Sequence, residues 1–319
     1  MATNFADRLI DAVQRRAAPA CVGLDPLIHR LPQDILDRHG LSADSEPAMA
    51  DDEACAAAIG EFSREVILQI ASHVPAVKIN IAFFERFHAE GVAAYFSAVK
   101  FAQEVGLLVI GDVKRADIGH STTQYAHAQL ADHFRGNAAG ASPDAVTVNP
   151  YFGLDGVRPF LDVARAEGGG LFVLVQTSNE SAVQVQGLRL SDGSLVSHRV
   201  ARLVQQWAGE DGLLGVHGYS CVGAVVSPRD LESTKLIRSL MPNCLFLVPG
   251  FGAQGRTADE VRECFKPDGS GALVTASRSV IYAYRDERFA VQGEGDWRKS
   301  VEAACVDLVS QLRATLPAL

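Results

Sequence analysis

Short apolar runs punctuate the chain from end to end, separated by stretches with helical spacing. The runs fall at 20–24, 76–80, 107–114, 145–149, 171–177, 222–227, 244–249 and 272–277. Most are continuous Val/Ile/Leu segments rather than alternating ones, the pattern of strands buried on both faces. Between them, 59–70, 92–105, 156–166, 195–207, 228–240 and 257–264 space their apolar residues as helices do. Asn4 can cap a first helix with Phe5, Leu9, Ile10 and Val13 on its stripe, and 301–312 predicts a closing helix. Eight strands alternating with helices predict a parallel sheet, and eight is the number that closes a (β/α)8 TIM barrel. An open, doubly wound sheet is the alternative. Its fingerprint is missing, because the first turn reads Gly23-Leu24-Asp25-Pro26 rather than Gly-x-Gly-x-x-Gly. One barrel domain over residues 1–319 is the simplest account. Polar excursions at 31–53 and 178–194 fall where loops follow strands, on the face that carries catalysis in this architecture, and read either as cover for a site or as tolerated surface insertions.

The ends of the expected strands are unusually polar. Strand one ends at Asp25, strand two contains Lys78 and Asn80, and strand three ends in Asp112 and Lys114, with Asp117 just beyond. Strand five runs into Gln176-Thr177-Ser178-Asn179, and Arg278 follows strand eight. In a barrel these ends converge on one mouth. Lys78 and Asp112 lie within or against apolar strands, and a charge placed there must be paired. Alternate residues of a strand share a face, which predicts that Asp112 and Lys114 point the same way. Carboxylates around an ammonium favour its charged form, and a charged acid in a cleft is a proton donor. Opposite this cluster, Val248-Pro249-Gly250-Phe251-Gly252-Ala253-Gln254-Gly255 follows strand seven. The loops after strands seven and eight are the usual phosphate site of such a barrel. Glycines there let backbone N–H groups approach phosphate oxygens, and Arg278 adds a bidentate cation.

Composition narrows the chemistry further. The chain has 319 residues, 48% hydrophobic and 21% charged, ordinary for a soluble globular protein. A formal net charge of -9 without a basic run argues against nucleic acid as a partner. It does not oppose an anionic small molecule, since a local Lys/Arg pocket can act against the global sign. No apolar run reaches the length of a membrane span, and the N-terminal residues lack the apolar core of a signal peptide. Six cysteines are scattered with no Cys-x-x-Cys pair, which predicts buried thiols in a reducing cytoplasm. The nine histidines include no His-x-His on a strand and no His-Glu-x-x-His, so no metal is expected, and His120 reads as an exposed loop residue. With no Gly-x-Ser-x-Gly elbow and no cysteine nucleophile signature, acid/base work on a phosphorylated small molecule remains, without metal or redox cofactor.

These residues resemble one known family, orotidine 5′-phosphate decarboxylase, and within it the longer bacterial-type subfamily. The resemblance rests on the Asp-x-Lys-x-x-Asp core of Asp112, Lys114 and Asp117, extended through Ile118-Gly119. It continues in Val22-Gly23-Leu24-Asp25-Pro26, Val77-Lys78-Ile79-Asn80, Ala82-Phe83-Phe84-Glu85 and Thr147-Val148-Asn149-Pro150-Tyr151. Thr177-Ser178-Asn179, the 248–255 loop and Ser277-Arg278 before Ile281-Tyr282 complete it, in chain order from about residue 20 to 285. The resemblance implies cofactor-free conversion of orotidine 5′-phosphate to uridine 5′-phosphate and CO2 in pyrimidine biosynthesis. Lys114 would protonate carbon 6 of the pyrimidine, Asp112 and Asp117 would flank it, and Lys78 would complete the charge network. Asp117 would reach across a homodimer interface into the partner's site. Asp25 would hold ribose hydroxyls, and Asn80 would add a further substrate contact. Thr177 or Ser178 would contact the pyrimidine. Pro249, Gly250, Gln254, Gly255 and Arg278 would form the phosphate side. Ser121 stands where the family usually has threonine, keeping the hydroxyl and losing a methyl.

Three other readings compete. A metal-dependent sugar-phosphate decarboxylase or epimerase would share the Asp-x-Lys-x-x-Asp motif but needs a metal-binding acid where Lys78 stands. A Schiff-base aldolase would need a neutral lysine, which flanking carboxylates oppose. A non-catalytic phosphate-ligand binding protein would be expected to have lost a charged member, and all are present.

Overall fold

The eight apolar runs become eight parallel strands in a computed structural model, which describes residues 3–43, 51–131, 142–251, 258–290 and 296–317. They are β1 (Ala20–Leu24), β2 (Ala76–Asn80), β3 (Leu108–Arg115), β4 (Ala145–Val148), β5 (Gly170–Gln176), β6 (Ser220–Val226), β7 (Cys244–Pro249) and β8 (Ala272–Ala276). Each pairs with the next, and β8 returns to β1 through Ala20↔Val274, so the sheet closes into a (β/α)8 barrel. Every residue of β1, β4, β6 and β8 is buried, as continuous rather than alternating runs require. Gly23 lets the closing seam come together: a Cβ there would lie 1.9 Å from Ser277 Oγ.

Helices α1 (Phe5–Arg16), α2 (Gln33–Arg38), α3 (Asp52–Ile70), α4 (Ala82–Glu85), α5 (His88–Glu104) and α6 (Gly119–Leu130) accompany the first half of the barrel. The second half has α7 (Leu154–Glu167), α8 (Val196–Ala208), α9 (Leu231–Leu240), α10 (Ala258–Arg262), α11 (Arg278–Ile281) and α12 (Trp297–Thr315). Asn4 does cap α1, accepting from Ala6 N at 2.8 Å. Phe5 then meets the ring of Phe172 on β5 edge-on, at 5.9 Å between centroids. The 31–53 excursion is partly helical, since α2 buries Ile35 and Leu36 and α3 begins at Asp52. Helix α6 carries almost no apolar periodicity in its sequence. Its buried face is Thr122, Ala126, Gln129 and Leu130, of which all but Leu130 are small or polar, so a hydrophobic pattern does not register it. Among the described residues no helix is long and apolar enough to cross a membrane.

Candidate active site

The register places the polar strand ends side by side. Gly23 pairs with Lys78, Lys78 with Ile110 and Asn80 with Asp112, so β1, β2 and β3 deliver Asp25, Lys78 and Asp112 to one end of the barrel. There they line a cavity of about 250 Å³ together with Asn80, Lys114, Thr147, Thr177, Ser178, Pro249, Gly250, Thr275 and Arg278. Residues separated by up to 253 positions thus share one mouth because each closes or follows a strand.

Asp112 is the hub. Lys78 Nζ donates to its Oδ2 at 2.7 Å and Lys114 Nζ to its Oδ1 at 2.5 Å. Thr147 Oγ1 donates to the same Oδ1 at 3.0 Å and accepts from the Lys114 backbone N–H, also at 3.0 Å. Asp25 Oδ1 lies 3.8 Å from Lys78 Nζ, an ion pair beyond hydrogen-bond reach. The network alternates in sign, Asp25, Lys78, Asp112, Lys114, and charges of this kind can share an interior only when so paired. Burial alone would raise the Asp112 carboxyl, but the Lys78 and Lys114 ammonium groups outweigh it and hold the acid well below the ordinary carboxylate range. Burial would likewise lower Lys78, but Asp25 and Asp112 outweigh it and hold the amine above the usual lysine value. Cys21, buried next to this network, is pushed up to about 12 by its burial and stays a thiol.

Lys114 reaches the network by strain rather than by plain strand alternation. Its backbone is left-handed, φ +45°, and the β3–β4 pairing shifts register between Gly111 and Arg115. A non-glycine residue held there costs on the order of 1–3 kcal/mol and persists only where neighbours fix it, as the Thr147 hydroxyl does. The side chain is consequently about half exposed, facing the cavity, while Lys78 and Asp112 are buried.

Other cavity groups are left open. Among the described residues Asp25 Oδ1 and Thr275 Oγ1 are buried without a hydrogen-bond partner, and groups of that kind call for a ligand donor or water. The Arg278 guanidinium has no hydrogen bond or ion pair among the described residues. Gly250 has φ +96°, a conformation that suits glycine and turns the chain at the end of β7. Asn80 lines the cavity and also caps the turn after β2, accepting from Ala82 N at 3.2 Å. Thr177 has spent its one donor: its hydroxyl donates to Asn179 Oδ1 at 2.6 Å and accepts from Gln186 Nε2 at 2.8 Å. Ser178 Oγ has no partner among the described residues, which makes it the free hydroxyl of the pair.

Two expected members stand apart. Asp117 lies past the end of β3, outside the cavity, with Oδ1 accepting from Ile118 N at 2.8 Å. Ser121 is exposed on α6 and does not line the cavity either. Gln254 and Gly255 lie outside the described residues. Thr147 bonds the network and Thr275 lines the cavity, neither of which the charge pattern reveals. Their only sequence signal is a lone hydroxyl inside an otherwise aliphatic strand, Ala-Val-Thr-Val and Ala-Leu-Val-Thr-Ala.

The sequence profile of the orotidine 5′-phosphate decarboxylase / HUMPS family matches residues 21–292. The chain belongs to that family. An orotidine 5′-phosphate decarboxylase of Rhodopirellula baltica is 38% identical over 311 residues, covering 97% of this chain and 99% of its own. One from Caldicellulosiruptor bescii is 33% identical over 315 residues, covering 98% and 99%. Among solved structures, Leishmania donovani OMP decarboxylase superposes with a TM-score of 0.71 at 28% identity, over 98% of both chains. Both excursions, 31–53 and 178–194, fall within the span shared with these family members.

Proposed function

We infer that this chain decarboxylates orotidine 5′-phosphate to uridine 5′-phosphate, using only its own side chains. The observation that carries the reading is the alternating network at the barrel mouth, with Lys114 as its cavity-facing cation. The bond between ring carbon 6 and the carboxyl carbon breaks and CO2 leaves. The electron pair stays on carbon 6 and takes a proton from Lys114 Nζ, which solvent then replaces. No cofactor is needed as an electron sink, because prearranged cations stabilise the developing charge. Asp112, ionised and buried, places negative charge against the departing carboxylate. Asp25, with its unpartnered buried oxygen, accepts from ribose hydroxyls. Asn80 adds a polar substrate contact, Ser178 reads the pyrimidine edge, and Pro249, Gly250, Gln254, Gly255 and Arg278 take the phosphate. Remote phosphate contacts then supply binding energy that is expressed in the transition state. Orotidine 5′-phosphate labelled in its carboxyl group should release that label as CO2 in step with uridine 5′-phosphate. Retention of the label would refute the reading.

The competing chemistries fit these residues less well. A divalent cation would have to displace the Lys78 ammonium, itself 2.7 Å from the one carboxylate both lysines share. Schiff-base chemistry needs a neutral amine, and Lys78 is held above its usual value.

The active form in this reading is a homodimer. Asp117 sits outside its own cavity, and beside it Ile118, Tyr151, Phe152 and Leu154 expose 55%, 80%, 47% and 38% of their surface. The two loops are contiguous, since a Cβ on Gly156 would lie 3.0 Å from the Asp117 carbonyl and 2.9 Å from Phe152 Cβ. An apolar face of this kind suits a second copy, which would receive Asp117 and Ser121 at its mouth. Mixing equal amounts of inactive Lys114→Ala and Asp117→Ala proteins should then restore about a quarter of wild-type activity, since half the dimers are hybrids with one complete site. Absence of complementation after subunit exchange would place Asp117 elsewhere. We further read residues 1–319 as one domain working in the cytoplasm, a location that suits six cysteines all buried and unpaired.

A further inference from the structure

The 178–194 excursion has a job in this barrel that the charge network does not explain. After the short turn Glu180–Gln184, the chain folds back on the end of β5. Gln186 is fixed there through its backbone: its N–H donates to Ala182 O at 2.8 Å, and its carbonyl accepts from Ser197 N at 3.0 Å. Leu188 O accepts from Val196 N at 3.0 Å, so the excursion is tied to the first turn of α8 by two otherwise orphaned N–H groups. Gly187 permits this close fold, since a Cβ at that position would lie 2.9 Å from Val183 O. Held in this way, the Gln186 amide meets Thr177 twice. Its Oε1 accepts from Thr177 N at 2.9 Å and its Nε2 donates to Thr177 Oγ1 at 2.8 Å.

A hydroxyl has one proton to give. Thr177 gives it to Asn179 Oδ1 at 2.6 Å and is further engaged by Gln186. Thr177 therefore has no donor left for a ligand, although it lines the cavity. Its neighbour Ser178 follows directly in the chain, lines the same cavity, and its hydroxyl has no partner among the described residues. We propose that Gln186 is a positioning residue for base recognition, locking Thr177 so that Ser178, of these two neighbours, offers its hydroxyl to the pyrimidine. This rests on the decarboxylase reading above and assigns the excursion a part in specificity for the base.

The test compares two ligands that share the ribose phosphate and differ in the base. Gln186→Met keeps the volume and removes both side-chain hydrogen bonds. It should weaken uridine 5′-phosphate binding by about 5- to 10-fold, the worth of one or so net hydrogen bonds. Ribose 5-phosphate binding should stay within about twofold, because neither Thr177 nor Ser178 faces the sugar or phosphate in this account. Thr177→Val, which removes the side-chain half of the clamp from the other partner, should show the same base-selective loss. In a Ser178→Ala background the Gln186→Met loss should shrink, since the two act on one contact. Equal weakening of both ligands, or no weakening of either, overturns the assignment. Wild-type protein that neither turns over orotidine 5′-phosphate nor binds uridine 5′-phosphate overturns the decarboxylase reading itself, and the base assignment with it.

Discussion

Lys114→Ala is expected to lower turnover of orotidine 5′-phosphate by roughly 10⁴-fold or more while leaving uridine 5′-phosphate binding within about tenfold. Two losses combine in that figure. Removing the proton donor costs at least about 100-fold, the lower end for general-acid catalysis. Removing the preorganised cation nearest the developing carbanion costs about another 100- to 1000-fold. Fold stability should change little, because the Lys114 side chain is about half exposed and its ion pair with Asp112 is screened. The backbone strain at φ +45° is not relieved by alanine, which meets the same steric penalty. Steady-state kinetics beside a calorimetric titration separate these contributions. A variant with near-normal turnover would remove Lys114 from the chemistry.

Asp112→Asn should be the most damaging change to the fold at this site, and should also abolish useful activity. The carboxylate accepts from Lys78, Lys114 and Thr147 together, and both it and Lys78 are 8% exposed. Its loss leaves the Lys78 ammonium buried with only Asp25 at 3.8 Å. Breaking a buried pair in this way costs about 3–5 kcal/mol. The pH dependence follows from the directions of the two shifts. Asp112, held below its unfolded value, contributes stability that is present above the ordinary carboxylate range and is lost as pH falls through its lower folded value. Lys78, held above its unfolded value, contributes stability present below the ordinary lysine range and lost as pH rises through its higher folded value. The pair's contribution is therefore flat from about pH 5 to 9, and the Asp112→Asn deficit in urea unfolding should be constant across that window. Adding Lys78→Met should recover much of the stability and none of the activity, because the stranded charge is gone but the network is still broken. A deficit that persists in full in the double variant would mean that the buried pair is not its source.

The barrel was legible in the chain because its strands are buried on both faces. Continuous aliphatic runs bounded β1, β2 and β7 to the residue. Helix α6 was not legible, since a face of Thr122, Ala126 and Gln129 packs by small size and hydrogen bonding rather than by hydrophobicity. The charged core of the site could be read for the same reason that it is costly: Lys78 and Asp112 interrupt aliphatic strands, and charge there demands a partner. Lys114 was placed correctly by an incomplete argument. Strand alternation puts it beside Asp112, but the contact is made through a left-handed residue and a register shift that spacing does not disclose. Thr147 and Gln186 were not singled out, because their roles depend on hydrogen bonds between segments far apart in the chain or across an irregular loop.

In the proposed reaction the Asp25–Lys78–Asp112–Lys114 network performs the decarboxylation without a metal. The ultraviolet absorbance of orotidine 5′-phosphate incubated with purified protein in excess chelator puts this to the test. The network account predicts conversion to the uridine 5′-phosphate spectrum at the same rate with and without chelator. No spectral change, or a change that chelation abolishes, would contradict it.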